Sequence, residues 1–249
     1  MTVEPDRTGR ELCLAADEAL TAASFCTGEF AEAERLFNGA LTRAADAGDV
    51  AGEARAVSGL ARVLHLRNVA TLATGGEPAA ADVAAEEGLT RRALALWRET
   101  GDSGGTGRAL FDVSLVFQVL RRDWDTGMRY LWPAVGLADA VEEDGDVYGR
   151  SEIHRHLGFY YLFADIRPRE AVRQFTHSLA LRERIGDARL IPSALVALAR
   201  AELARGNPEQ AVALLTRAVS TARRASLLPW RVQDAEDTLR EAKAAVTAP

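Results

Sequence analysis

The sequence predicts an all-α fold of antiparallel helix pairs, with about 11 helices in 249 residues. Three observations predict it. A Gly-Asp dipeptide recurs at the end of helical stretches, the apolar residues of each stretch follow helical spacing, and strand-like alternation is absent. Stacked helix pairs of this kind share one continuous core, so we expect a single domain over residues 1–249.

The repeat is clearest around the Gly-Asp dipeptides, which begin at Gly48, Gly101, Gly145 and Gly186. The segments that end at three of them read FNGALTRAADAGD, TRRALALWRETGD and FTHSLALRERIGD. Each contains Ala or Ser followed by Leu at a fixed distance from the Gly-Asp. The intervals indicate a period of about 42 residues, with an insertion in the second unit.

Each period contains two helical patterns joined by a turn. In the fifth unit the turn falls at 205–208, where Pro208 suits a first helical position. Small and large apolar residues carry the pattern at matching positions of two units: Leu157, Gly158, Tyr161, Ala171 and Phe175, and Leu198, Ala199, Ala211 and Leu215. The small residues allow paired helices to approach, and the large residues fill the space between them.

This pattern resembles the tetratricopeptide repeat (TPR), in which Leu-Gly, an aromatic residue and a turn are followed by Ala, Phe and Ala at intervals of four and three. Residues 198–218, LARAELARGNPEQAVALLTRA, match in register, with Glu202 in place of the aromatic residue. Residues 157–178 match with a turn one residue longer. The resemblance implies a right-handed superhelical solenoid. The period exceeds the usual length of about 34 residues, as in the long-helix variant of bacterial regulatory proteins.

The helix boundaries follow from these patterns. We expect pairs at 9–26 with 29–46, 50–66 with 80–99, 105–121 with 124–142, 146–163 with 168–184, and 188–205 with 208–225, and a polar capping helix at 229–246. Residues 68–82 form the insertion, which we predict to be a loop, either flexible or functional.

Composition narrows the classes of function. With 36 acidic and 30 basic residues the net charge is −6, which argues against a general nucleic-acid or membrane-surface binder. The N-terminal residues do not resemble a signal peptide, and no apolar run reaches the roughly 18 residues of a membrane span. Cys13 and Cys26 fit no zinc or redox motif, so we expect reduced thiols in a cytoplasmic protein.

No catalytic or metal-binding constellation is evident. The string GDSGG at 101–105 matches a serine-protease nucleophile motif, but it joins two helices, so Asp102 and Ser103 are interpreted as cap and turn residues. Glu152 and His156 have the spacing of half a metal site, yet ordinary pairing on a helix surface is by far the better explanation. We therefore predict no cofactor, no metal and no enzymatic activity.

The resemblance implies that the first helix of each pair lines a concave groove. Positions five and two before and after the Leu-Gly reference fall on one helical face. They give nine candidate binding residues: Arg55, Arg62, His65, Arg108, Phe111, Gln118, Arg155, Phe159 and Arg200. Five arginines and two projected acids form a basic lining, suited to carboxylate or phosphate. The alternative is that these arginines pair with neighbouring acids, and that the phenylalanines belong to the core.

Two functional hypotheses lead. The first is a non-catalytic scaffold whose groove binds an acidic protein or peptide segment. The second is a regulatory sensor of a small anionic ligand or signalling peptide. A further alternative is a homo-oligomer that associates through exposed aromatic residues, namely Trp97, Trp124, Tyr130, Trp132 and Trp230.

Overall fold

A computed structural model describes residues 8–140 and 146–247. These residues form eleven α-helices and no strand, which confirms the predicted fold class of all-α helix pairs. The helices are α1 Gly9–Ala22, α2 Ala31–Ala47, α3 Val50–Ala73, α4 Ala80–Thr100, α5 Ser103–Leu115, α6 Trp124–Ala140, α7 Val147–Phe163, α8 Pro168–Ile185, α9 Ile191–Ala204, α10 Pro208–Arg224 and α11 Pro229–Thr247. Helices α1 and α5 continue into π-helical turns, Ala23–Thr27 and Val116–Leu120.

The predicted insertion loop at 68–82 is wrong in its extent. Helix α3 continues to Ala73 and α4 begins at Ala80, so residues 74–79 alone connect them. The segment before Gly75 contains no helix breaker, and Asn68 is held in the helix because its side chain hydrogen-bonds to Glu86 on α4. The predicted turn at Gly145 and the predicted end of α6 at 142 lie outside the described residues.

The Gly-Asp dipeptides at Gly48 and Gly101 end one helix and begin the next, whereas the one at Gly186 ends α8, and α9 begins only at Ile191. Gly48, Gly101 and Gly186 have φ of 65°, 72° and 78°, the left-handed conformation that favours glycine after a helix. The following aspartate then accepts a hydrogen bond from the N–H three residues on: Asp49 from Gly52 at 2.9 Å, and Asp102 from Gly105 at 2.9 Å. Asp102 is therefore an N-cap, as the sequence predicted.

The second helix of each pair carries a buried stripe with a 4-3-4 spacing. The stripe comprises Ala33, Phe37, Ala40 and Ala44 on α2, Glu86, Thr90, Ala93 and Trp97 on α4, Ala171, Phe175, Ser178 and Arg182 on α8, and Ala211, Leu215, Ala218 and Ala222 on α10. Two of these sixteen positions hold an ionisable residue, Glu86 and Arg182. Both are almost completely buried, so each must find its partners inside the protein.

Glycine permits the closest helix contacts. A Cβ added to Gly158 on α7 would lie 2.6 Å from a ring carbon of Phe175 on α8. One added to Gly59 on α3 would lie 2.2 Å from the ring of Phe37 on α2. Gly158, the glycine of the Leu157-Gly158 dipeptide, and Gly59 thus each make room for a phenylalanine of the neighbouring helix.

The chain divides into two compact units, unit 1 at Met1–Leu137 and unit 2 at Ala138–Pro249. Each unit has its own buried core of paired helices. A single domain over 1–249 stays a prediction.

Candidate functional site

In unit 1, helix α3 carries three of the predicted groove residues. Arg55 is exposed and has no hydrogen-bond partner in the part of the chain that the structure describes. Arg62 donates to Asp17 of α1 at 3.0 Å. His65 lies one turn beyond Arg62 and faces α4 rather than open solvent.

His65 belongs to a buried polar cluster with Glu86 and Asn68. Glu86 is 0% exposed. One of its carboxylate oxygens lies 2.8 Å from Nδ1 of His65, and the other accepts a hydrogen bond from the Asn68 amide at 2.8 Å. The cluster links α3 to α4, and it gives the imidazole one fixed orientation.

The predicted residues on α5 and its π-helical turn are mostly buried. Phe111 is 1% exposed, with the Arg108 guanidinium 6.0 Å from its ring centroid. Arg108 forms an ion pair with Asp112 at 3.6 Å. Gln118 is 4% exposed, and its amide donates to Ser114 at 3.2 Å. Phe111 therefore fits the core interpretation and offers a partner almost no surface.

In unit 2, helix α7 presents a polar and aromatic face. Arg155 forms a two-point contact with Glu152, with hydrogen bonds of 3.0 and 2.9 Å. The same guanidinium lies 5.2 Å from the ring centroid of Phe159. Phe159 in turn stacks on Phe163 at 5.9 Å, and Phe163 is 56% exposed. We call this set, Glu152, Arg155, Phe159 and Phe163, the α7 face.

A buried arginine behind the α7 face orients Glu152. Arg182 of α8, 2% exposed, hydrogen-bonds to Glu152, and it also donates to the Leu190 carbonyl and the Ser193 hydroxyl, each at 2.7 Å. Both carboxylate oxygens of Glu152 are therefore bound by arginine.

Helix α11 adds charges on the same side of unit 2. Arg200 of α9 donates to Asp234 at 2.6 Å. Arg231 lies 4.3 Å from the ring centroid of Trp230. Burial, together with the positive charges of Arg155 and Arg182, lowers the pKa of Arg231 from its usual range to about 10, although Tyr148 and Asp234 act in the opposite direction.

Most of the predicted groove arginines form ion pairs with acidic side chains of the same chain. Arg62, Arg108, Arg155 and Arg200 each form an ion pair with an acid: Asp17, Asp112, Glu152 and Asp234. The predicted lining, with five arginines and two acids, therefore counts too few of the acidic residues that lie beside these arginines. Whether any of the nine residues contacts a partner stays a prediction.

Sequence reasoning missed the two ionisable residues that organise these clusters, Glu86 and Arg182. A signal was present, because both occupy the 4-3-4 stripe where the other repeats hold alanine or tryptophan. The proposed aromatic association patch also needs correction. Trp97 is buried and donates to the Ser58 hydroxyl at 3.0 Å, whereas Trp132 is 45% exposed.

The described residues were compared with two kinds of site, a metal centre and a membrane span. Within 8–140 and 146–247, no three His, Cys, Asp or Glu side chains are grouped as metal ligands would be. None of the helices there combines the length and the apolar composition needed to span a bilayer.

Comparison with known proteins shows the fold. No family model and no curated protein matches the sequence. Among solved structures, BtubC (BKLC) from P. vanneervenii has a TM-score of 0.59 at 18% identity, covering 87% of this chain and 80% of that chain. The crystal structure of putative kinesin light chain TPR-like repeats of Podosopora anserina has a TM-score of 0.50 at 17% identity, and the match covers 86% of this chain and 95% of that chain. A second crystal structure of these repeats, which carries a glutamine-to-methionine substitution, has a TM-score of 0.54 at 18% identity. That match covers 76% of this chain and 87% of that chain. The chain therefore has the TPR-like repeat fold.

Proposed function

We propose that this protein is a non-catalytic protein-interaction scaffold, and that it binds an acidic partner segment containing apolar side chains. The TPR-like fold supports a scaffold, because repeated helix pairs present extended surfaces to other chains. The α7 face of unit 2 supplies the chemistry for this binding. We further propose a cytoplasmic location, which fits the thiols of Cys13 and Cys26.

The observation that carries this proposal is the stack of Arg155, Phe159 and Phe163. A guanidinium held against a ring by a carboxylate has little freedom left to lose when a partner binds. Phe163 and the neighbouring Ile166, 68% exposed, leave apolar surface in water beside that charge. Aromatic and arginine anchors of this kind dominate the binding energy of protein interfaces.

The test is binding of a labelled peptide of glutamates interspersed with leucine and tryptophan, measured by fluorescence anisotropy. Its charge-reversed form, with lysine at every glutamate, is the control ligand. Phe163→Ala should weaken binding by roughly tenfold, since an interface anchor contributes above about 1 kcal/mol. Leu14→Ala, at a residue of similar exposure on α1, should change nothing. Equal binding of both peptides would refute the acidic-partner assignment.

A second candidate function, a sensor of a small anion, is favoured by the two arginines that share Glu152. Its test is a ligand-dependent change in small-angle X-ray scattering. A scattering profile unchanged at saturating phosphate would argue against a sensor.

A further inference from the structure

The charges around Glu152 do not balance. Glu152 carries one negative charge, and two guanidiniums, Arg155 and Arg182, contact it directly. The other partners of Arg182 are neutral: two serine hydroxyls and the Leu190 carbonyl. Arg155 has no second carboxylate partner among the described residues, and its other contacts are with the rings of His156, at 3.4 Å, and Phe159, at 5.2 Å from the ring centroid. These three side chains, one carboxylate and two guanidiniums, together carry a net charge of +1.

This surplus lies in a poorly hydrated place. The side chains of Arg182, Glu152 and Arg155 are 2%, 14% and 20% exposed. Removing an unneutralised charge from water is costly, so such a charge is normally matched by a counter-ion.

Arg155 is the accessible member of the set. Its Nε and Nη2 atoms are occupied by Glu152, whereas the described residues offer no hydrogen-bond acceptor to Nη1. Arg182 uses every guanidinium nitrogen inside the protein, and so acts as the group that fixes Glu152. An anion that arrives from solvent would meet Arg155 first.

We propose that Arg155 binds an external oxyanion, a carboxylate or a phosphate group, whose charge balances the set that Arg155 forms with Glu152 and Arg182. Nη1 can donate charge-assisted hydrogen bonds to the oxygens of either group. The inference rests on the proposed function, because Arg155 belongs to the α7 face. It deepens that function by naming the chemical group of the partner that binds there.

The test is isothermal titration of the full chain with sodium phosphate and, separately, with the glutamate peptide, at constant ionic strength set by sodium chloride. Arg155→Gln should weaken binding by about tenfold, the usual effect of losing a charge-assisted hydrogen bond. Glu152→Gln should strengthen it, since the surplus rises from one charge to two. Arg217→Gln is the matched control, because Arg217 forms an exposed ion pair with Glu183 in the same unit.

The outcomes separate the source of the oxyanion. Phosphate that binds through Arg155 and displaces the peptide indicates a site open to either group. Peptide binding that depends on Arg155, without phosphate binding, indicates the carboxylates of a partner. Circular dichroism checks that each variant folds. If Glu152→Gln does not fold, the comparison of Arg155→Gln with Arg217→Gln decides.

The two proposals fail differently. If the peptide binds but neither Arg155→Gln nor phosphate affects it, the oxyanion site is refuted and the scaffold function stands. If phosphate binds through Arg155 and no peptide binds, the oxyanion site stands and the acidic-peptide function is refuted. If neither phosphate nor peptide binds, both are refuted.

Discussion

The imidazole of His65 lies 2.8 Å from the carboxylate of Glu86, a side chain with no exposure to solvent. The contact joins α3 to α4, and Asn68 occupies the second carboxylate oxygen. A buried carboxylate whose contacts are one imidazole and one amide depends on both of them, because water cannot replace either partner.

Loss of the Glu86 carboxylate should therefore destabilise unit 1. Glu86→Ala leaves His65 and Asn68 without their acceptor and opens a cavity, so we expect a loss of about 2–4 kcal/mol in the free energy of unfolding. Urea denaturation measures it. Glu99→Ala, at an exposed position of the same helix, should fall within about 0.5 kcal/mol of wild type. A similar small effect at both positions would contradict a structural role for Glu86.

The contact between Gly158 and Phe175 predicts a second effect on stability. Gly158→Ala places a methyl group 2.6 Å from the buried ring of Phe175, so we expect a destabilisation of about 1–3 kcal/mol from overpacking. The matched control is Gly88→Ala on α4, where an added Cβ meets nothing within 4 Å. That control should stabilise the protein by about 0.5–1 kcal/mol, because alanine is the better helix former. Thermal unfolding of both variants measures these effects. A melting temperature for Gly158→Ala that equals or exceeds that of Gly88→Ala would contradict the prediction.

How far the sequence could predict these features depends on how local they are. The Gly-Asp boundaries are local, since one residue ends a helix and the next caps its neighbour, and they were predicted closely. The pairing of Arg62 with Asp17 joins residues 45 apart in sequence, and no helical periodicity encodes it. The same holds for Asn68 and Glu86, whose contact extends α3 into the expected loop. Arg182 was predictable in principle from its place on the 4-3-4 stripe.

His177 should make unit 2 less stable in mild acid. Burial, and then the charges of His154 and Arg150, lower the pKa of His177 below its ordinary 6.5, with Asp139 acting in the opposite direction. The unfolded chain therefore binds a proton at His177 more readily than the folded chain does. The stability that unprotonated His177 contributes to the folded state is fully present above about pH 6.5, and it declines as pH falls through that value and below. In urea titrations at several pH values, His177→Asn should show a shallower decline than wild type. Parallel curves would contradict the assignment.

The thiol of Cys13 should react slowly. Burial, and secondarily the nearby carboxylate of Asp17, raise the pKa of Cys13, so less thiolate is available at neutral pH. Single-thiol variants separate the two cysteines: Cys26→Ala retains Cys13, and Cys13→Ala retains the more accessible Cys26. Iodoacetamide labelling followed by mass spectrometry should be slower for Cys26→Ala. Faster labelling of Cys13 would contradict its placement in the core.

The α7 face is proposed to bind an acidic partner segment. Hydrogen–deuterium exchange of the full chain, with and without the glutamate peptide, can locate the bound segment on the protein. We predict slower amide exchange at residues 152–163 and in the turn at 164–167 when the peptide is bound. Peptide binding with unchanged exchange in these segments would contradict the claim.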